Sequence, residues 1–161
     1  MNSLVLMDAG PLGLVTNPGE SDQSRRCKAW LRNLLASGAR VLIPEIADYE
    51  VRRELIRADR RQGLARLDAL AEELDYLPIT TRVMRLAAGF WAEARKGGWP
   101  TADDKALDAD AILAAQAILA GEDGIDVFIA TTNPGHLGRF VDGVRLWDTI
   151  TMPNDRGTVS P

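Results

Sequence analysis

Short apolar runs separated by helix-length segments are the feature of this chain that most restricts its fold. The first run is Leu4–Met7, the second is Val41–Ile43, and the strongest lies between Asp126 and Thr132. Continuous runs of this kind are typical of strands buried on both faces, and parallel strands need a long crossover, usually a helix, to connect them. We therefore predict an α/β fold with three layers, α/β/α, in which a central parallel sheet carries helices on both faces.

The segments between the runs carry helix signals. Pro44 lies near the start of one helix, where its missing N–H costs little, and we expect Ile46, Tyr49 and Ile56 of that helix to face the core. The segment Leu107–Ala120 is a predicted helix with almost no large side chains, so it can pack closely against a sheet. The remaining predicted elements are strands over Tyr76–Ile79 and Val144–Trp147, a helix with Leu64, Leu67 and Leu70, a helix with Phe90 and Trp91, and a polar loop over Trp99–Lys105.

Length and composition favour one domain. The chain has 161 residues, of which 46% are hydrophobic, and this is ample for a single core. Nineteen basic and twenty-three acidic residues give a net charge of −4, which argues against a protein that coats nucleic acid without regard to sequence. We predict that residues 1–150 form the domain and that the polar segment 151–161 is a flexible C-terminal tail.

Cysteine content and hydropathy give a cellular context. Cys27 is the only cysteine, so an intrachain disulfide is excluded. No stretch approaches the roughly 20 apolar residues that span a bilayer, and the N-terminus has no basic region followed by a cleavage site. We expect a soluble cytoplasmic protein with no membrane partner.

Four polar positions lie at the edges of the apolar segments. Asp8 follows the first run, Glu50 lies in the helix after the second, Asp110 opens the alanine-rich helix, and Asn133 follows the strongest run. Strand ends and adjacent helix starts collect in one crevice of an open α/β sheet. Three carboxylates brought together there would repel one another unless a hard cation lay between them, and oxygen-only ligation suits Mg²⁺ or Mn²⁺. The pattern predicts a divalent-metal enzyme that acts on phosphate esters.

Each position also has an ordinary structural interpretation. Asp8 is suited to a turn or a helix cap, and Glu50 to an exposed helix face beside Arg53. Asp110 is an acid favoured by a helix N-terminal dipole, and Asn133 begins an Asn-Pro turn signal. Three further acids compete with Asp110 for the dipole role: Asp103, Asp104 and Asp108.

In their joint order these segments resemble the PIN-domain ribonucleases, in particular the VapC-like toxins of prokaryotic toxin–antitoxin pairs. The resemblance covers about residues 3–148, and the Asp110 helix and the Thr-Thr-Asn strand end are its most specific parts. The matching segments are Leu4–Leu12, Ile43–Pro44 with Glu50, Asp110–Ala117, Ala130–Asn133 with His136 and Phe140, and Val144–Trp147.

The resemblance implies an endoribonuclease that depends on Mg²⁺ or Mn²⁺, with RNA as substrate and an antitoxin protein as a possible partner. Asp8, Glu50 and Asp110 match the metal-binding acids of the family, and Asn133 completes the catalytic set where many members have a fourth acid. The amide at Asn133 implies weaker binding of a second metal, replacement by another acid, or reduced activity. Asp108 is the nearest candidate for that replacement.

Two other functions compete with the nuclease. A catalytically weak PIN-like module that binds RNA or a protein has Asn133 as its main support. A receiver domain regulated by phosphorylation ranks lower, because it needs adjacent acids after the first strand and Asp8 is followed by Ala9 and Gly10.

The sequence leaves the roles of several polar and aromatic residues open. Six arginines within fifteen positions are either a phosphate-contacting stripe, a patch for an acidic partner, or a solvated helix face: Arg52, Arg53, Arg57, Arg60, Arg61 and Arg66. His136 is a candidate general acid or a turn residue, and Trp99 is a candidate substrate-facing aromatic. The apolar helix residues Leu64, Leu67, Leu70, Phe90 and Trp91 exceed what one small sheet needs, so we also predict a homodimer.

Overall fold

The structure, a computed structural model, describes residues 3–98 and 104–151. Within these residues, the chain forms five strands and six helices. In chain order they are β1 (Ser3–Met7), α1 (Ala9–Thr16), α2 (Asp22–Ala36), β2 (Arg40–Pro44), α3 (Glu45–Arg57), α4 (Arg61–Glu73), β3 (Asp75–Leu77), α5 (Thr81–Lys96), α6 (Asp104–Ala120), β4 (Asp126–Thr131) and β5 (Val144–Leu146). Two short 3₁₀ turns follow β4 and β5, at Leu137–Arg139 and Trp147–Thr149.

The five strands form one parallel sheet in the order β3-β2-β1-β4-β5. The first strand is therefore central, and Val5 pairs with Val41 on one side and Phe128 on the other. Burial on both faces explains why β1 is a continuous apolar run rather than an alternating one. The predicted parallel sheet is confirmed.

The sheet is the middle of three layers. Val5 and Met7 point to the face covered by α1, α2, α3 and α4, whereas Leu4 and Leu6 point to the face covered by α6. The fifth helix packs on the outside of α6, where small side chains allow a close approach. The contact residues of this helix pair are Val83, Ala87, Ala111 and Ala115. The predicted three-layer architecture is thus confirmed, with α5 added outside the α6 layer.

The inward face of α3 differs from the predicted one. Ile46 is buried as expected, but Tyr49 and Ile56 are 57% and 61% exposed, so their predicted burial is wrong. The buried stripe instead contains Ala47 and Val51, which are four residues apart and lie on one helical face. Because Tyr49 lies two residues after Ala47, it points to the other side of the helix.

The predicted surplus of apolar helix surface is smaller than expected. Leu67 is fully buried and Leu70 packs against the same core. Phe90 packs on Phe140 with ring centroids 5.7 Å apart, so of the five residues behind the dimer prediction only Trp91 reaches 38% exposure. The homodimer itself stays a prediction.

Some element bounds also move. The strand predicted at Tyr76–Ile79 is observed at Asp75–Leu77, and the helix predicted to begin at Leu107 begins at Asp104. Asp110 therefore does not open α6, as predicted, but lies in its second turn. The earlier start follows from the helix-favouring residues between positions 104 and 107.

Several predictions fall on residues outside those described. These are the substrate-facing role of Trp99, the dipole role of Asp103, and the flexibility of the tail beyond residue 151. Within residues 3–98 and 104–151, no helix combines the length and the apolar character that crossing a membrane requires.

Candidate active site

Asp8 is held in place at the carboxyl end of the central strand. It is the N-cap of α1, and its Oδ1 accepts a hydrogen bond from the backbone N–H of Ala9 at 2.7 Å. Its Oδ2 accepts a second one from the hydroxyl of Thr131 at 2.7 Å, and its backbone N–H donates to the carbonyl of Ala130 at 2.9 Å. The capping role and a role in a site are therefore compatible, since the carboxylate is fixed at the edge of the sheet.

Thr131 is the residue that sequence reasoning missed. It is 1% exposed, donates to the Asp8 carboxylate, and accepts a hydrogen bond from the backbone N–H of Asn133 at 3.1 Å. The available signal was the register of the sheet: Met7 pairs with Ala130, so the next residue of β4 comes opposite Asp8.

Glu50 reaches the same edge from α3, the helix that begins directly after β2. Its side chain is half-buried, and burial raises its pKa from the ordinary 4.5 to about 7. The negative charges of Asp8 and Asp110 raise this pKa as well, while the positive charge of Arg53 lowers it. Glu50 is thus within electrostatic range of both other acids.

Asp110 approaches from the opposite face of the sheet, in the second turn of α6. Its pKa is raised from 3.8 to about 6, mainly by burial and also by the Asp8 charge, against the opposing effect of His136. Burial likewise raises the pKa of Asp8, against the opposing effect of its two hydrogen bonds. The three carboxylates therefore repel one another, and the opposing effects of Arg53 on Glu50 and of His136 on Asp110 offset that repulsion only in part.

This donor set has the chemistry of a hard-cation site, but its ligand shell is not assembled. Carboxylate oxygens under mutual repulsion are what Mg²⁺ and Mn²⁺ bind in proteins. Among the described residues, however, no three His, Cys, Asp or Glu side chains are grouped so that they could hold a metal ion. Because Asp8 is fixed by two hydrogen bonds, binding would require movement of Glu50 and Asp110.

The side chains of the two remaining candidates have other contacts. Asn133 is exposed, and its Oδ1 accepts from the backbone N–H of Gly135 at 3.2 Å, so it forms the Asn-Pro turn and hydrogen-bonds to none of the three acids. Asp108 is exposed and lines a groove between α5 and α6 with Met84 and Trp91. Asp108 and Asp110 thus point to different sides of α6, as their spacing requires.

A sequence model of the PIN domain matches residues 13–134, about three-quarters of the chain. This chain belongs to the PIN-domain family. The matched segment contains Glu50, Asp110 and Asn133 and begins just after Asp8. A comparison with curated proteins finds no significant match.

Solved structures show that the chain has the fold of PIN-domain proteins. VapBC2 from Rickettsia felis, bound to a DNA fragment from its promoter, aligns with a TM-score of 0.66 and 16% identity over 90% of this chain and 99% of that chain. FitAcB from Neisseria gonorrhoeae aligns with a TM-score of 0.60 and 22% identity over 91% of this chain and 99% of that chain. DNA-bound VapBC from Salmonella typhimurium aligns with a TM-score of 0.55 and 19% identity over 91% of this chain and 99% of that chain. At these identities the likeness establishes the fold.

The raised carboxyl pKa values predict how stability depends on pH without metal. The folded chain holds protons on Glu50 and Asp110 to a higher pH than the unfolded chain does. Protonation of these two carboxyls therefore favours the folded chain. This stabilisation is fully present below about pH 4 and is lost as pH rises through about 6 to 7. In EDTA, we expect the free energy of unfolding to fall between about pH 5 and pH 8. In Glu50→Gln this fall should be smaller by on the order of 2 kcal/mol.

Urea unfolding at both pH values measures this difference. Asp108→Asn is the matched control, because it removes an exposed acid and should keep the wild-type pH dependence. If the free energy of unfolding had the same pH dependence in wild type and Glu50→Gln, the raised pKa of Glu50 would be contradicted.

Proposed function

We propose that this PIN-domain chain is an endoribonuclease that depends on Mg²⁺ or Mn²⁺, with Asp8, Glu50 and Asp110 as its metal-binding acids. The observation that carries the proposal is that these acids come from three separate elements and act electrostatically on one another at one edge of the sheet. A protein retains such repulsion more readily where a cation offsets it, and perturbed carboxyl pKa values cluster at functional sites.

The chain's own residues have distinct roles in this proposal. A bound divalent cation would supply an activated water and neutralise charge on the scissile phosphate. Asp8, held by Ala9 and Thr131, offers a carboxylate that does not reorient. Glu50, with a pKa of about 7, is suited to binding through water or to orienting the nucleophile near neutral pH. Hydrolysis by water would leave a 5′-phosphate and a 3′-hydroxyl.

The assembly proposal rests on the same family. Two structures of similar fold are VapBC complexes, and the sequence resembles VapC-like toxins. We therefore propose that the chain is the toxin of a toxin–antitoxin pair, that an antitoxin protein binds it, and that it forms a homodimer. The exposed Met84 and Trp91 of α5 are two of the large apolar residues available for a contact between copies.

A second candidate is a PIN-like module that binds RNA or a protein with little catalysis. Two observations favour it. Asn133 is engaged in a turn where many family members have an acid, and the three carboxylates are not assembled as a metal shell.

The distinguishing experiment is cleavage of a broad panel of structured and unstructured RNAs by the purified chain. We expect cleavage with Mg²⁺ or Mn²⁺, none with EDTA, and products that carry 5′-phosphates. No metal-dependent cleavage by either the wild type or Asn133→Asp would favour the binding module instead.

Asn133→Asp should lower the metal concentration that cleavage requires. The substitution adds a negative charge two residues after Thr131, the last residue of β4 and the one that donates to Asp8, and a charge of this kind is worth about 1 kcal/mol, or roughly fivefold in metal affinity. Asn33→Asp on α2 is the control, since Asn33 is exposed and the added charge is the same. Slower cleavage with an unchanged metal requirement would mean that the amide is suited to the site as it stands.

A further inference from the structure

A cleft of about 640 Å³ opens between α1 and α3, and Glu50 is the one of the three acids that lines it. Ala9, the neighbour of Asp8, and Glu50 line its end at the carboxyl edge of the sheet. The cleft continues along α3 to the turn that joins α3 to α4, so it connects the candidate active site with a surface that the proposed chemistry does not use.

Three arginines line this cleft: Arg53, Arg57 and Arg60. Arg53 lies over the ring of Tyr49, with its guanidinium carbon 5.1 Å from the ring centroid. Arg57 pairs with Glu54 at 2.8 Å, but both side chains are largely exposed, so this ion pair is weak and can exchange for a phosphate. No ion pair within the described residues engages Arg60.

The opposite wall of the cleft is formed by small residues of α1, including two glycines, and by the turn after that helix. Gly13 lies inside α1, where glycine costs about 1 kcal/mol relative to alanine. A Cβ added at Gly13 would meet no atom within 4 Å, so nothing in the described fold requires glycine there. Gly10 differs, because a Cβ there would collide with Thr132. The open wall at Gly13 leaves room for a ligand to approach the backbone closely.

We infer that this cleft binds the phosphate backbone of single-stranded RNA. It leads the RNA strand from the arginines to Glu50 and Asp8 at the carboxyl ends of the β-strands. The inference rests on the proposed function and adds the surface that holds the substrate. A guanidinium fork matches phosphate oxygens, and the chain's net charge of −4 means that its overall charge does not attract RNA. Because Glu50 of the proposed site lines the same cleft, a substrate strand is favoured over an acidic protein segment. The volume is that of a small-ligand site, which suits one strand rather than a duplex.

Fluorescence anisotropy with a labelled single-stranded oligouridine, on the full chain in EDTA, tests binding without cleavage. Arg57→Gln/Arg60→Gln should raise the Kd about tenfold at moderate salt and reduce the salt slope by about 1.4, because two phosphate contacts are lost. The matched control is Arg25→Gln/Arg85→Gln, which makes the same change in net charge at exposed positions on α2 and α5. This control should change the Kd less than about twofold.

A steric variant tests the other wall. Gly13→Gln should fold, since the site is open, and should weaken RNA binding by filling the cleft. Gly89→Gln in α5 is its control, because Gly89 is also a helix glycine with nothing within 4 Å of an added Cβ. Two urea unfolding curves establish that both variants are folded.

Three results would overturn the inference. They are equal losses in the two arginine variants, no saturable binding of RNA by the wild type, and arginine-dependent binding of polyglutamate in place of RNA. The metal-free assay separates this inference from the proposed function. Arginine-dependent RNA binding without any cleavage in Mg²⁺ or Mn²⁺ would refute the nuclease and leave the cleft as an RNA site.

Discussion

Asp110→Asn is expected to lower metal-dependent RNA cleavage on the order of a thousandfold. The substitution keeps the size of the side chain and removes one of three mutually repelling negative charges, so a cation bound between them would lose part of its ligation. Metal-centred stabilisation of charge is worth several kcal/mol, and each 1.36 kcal/mol is tenfold in rate. Asp8→Asn should have a similar effect, because Asp8 is the acid fixed most firmly at the edge of the sheet.

Asp108→Asn provides the matched control on the same helix. Asp108 is exposed and lines the groove between α5 and α6, so its removal should leave cleavage within about twofold of wild type. Initial rates on one RNA substrate at saturating Mn²⁺ give the comparison. Equal losses in Asp108→Asn and Asp110→Asn would contradict the assignment of Asp110 to the site.

Leu113→Ala is expected to destabilise the fold by about 3 kcal/mol and to lower Tm by roughly 10 °C. Leu113 is 1% exposed and lies in the core between α6 and the sheet, three residues after Asp110. Removing its side chain leaves a cavity that a helix packed this closely cannot collapse to fill.

Ile118→Ala on the same helix is the control for this stability prediction. Ile118 is 39% exposed, so its truncation should cost less than about 1 kcal/mol. Urea and thermal unfolding of both variants supply the two values. A loss at Leu113 no larger than the loss at Ile118 would show that α6 does not depend on this contact.

The sequence predicts the centre of the sheet better than its edges. The strands β1, β2 and β4 are long and buried, so each leaves a continuous apolar run. The edge strands β3 and β5 have three residues each and are largely exposed, so their bounds follow from pairing rather than from local pattern. The rotation of α3 could not be predicted either, because two apolar stripes were available and packing selected the one with Ala47 and Val51.

The candidate site shows the same division. Asp8 could be placed because it follows the central strand, but the hydroxyl of Thr131 acquires its role only once β1 pairs with β4. Asp48 is a further case: it is buried on α3, where the hydroxyl of Tyr76 donates to its carboxylate at 2.7 Å. The two residues are 28 positions apart, so a helix pattern alone gives no reason to bury this acid.

Isothermal titration of Mn²⁺ into the metal-free chain near pH 6.5 tests the central claim most directly. The account predicts saturable binding with release of protons, because Glu50 and Asp110 are partly protonated at this pH without metal. It predicts that Asp108→Asn binds like wild type and that Asp110→Asn binds much more weakly. Absence of saturable Mn²⁺ binding by the wild type, or equal binding by wild type and Asp110→Asn, would contradict the claim that these carboxylates form a metal centre.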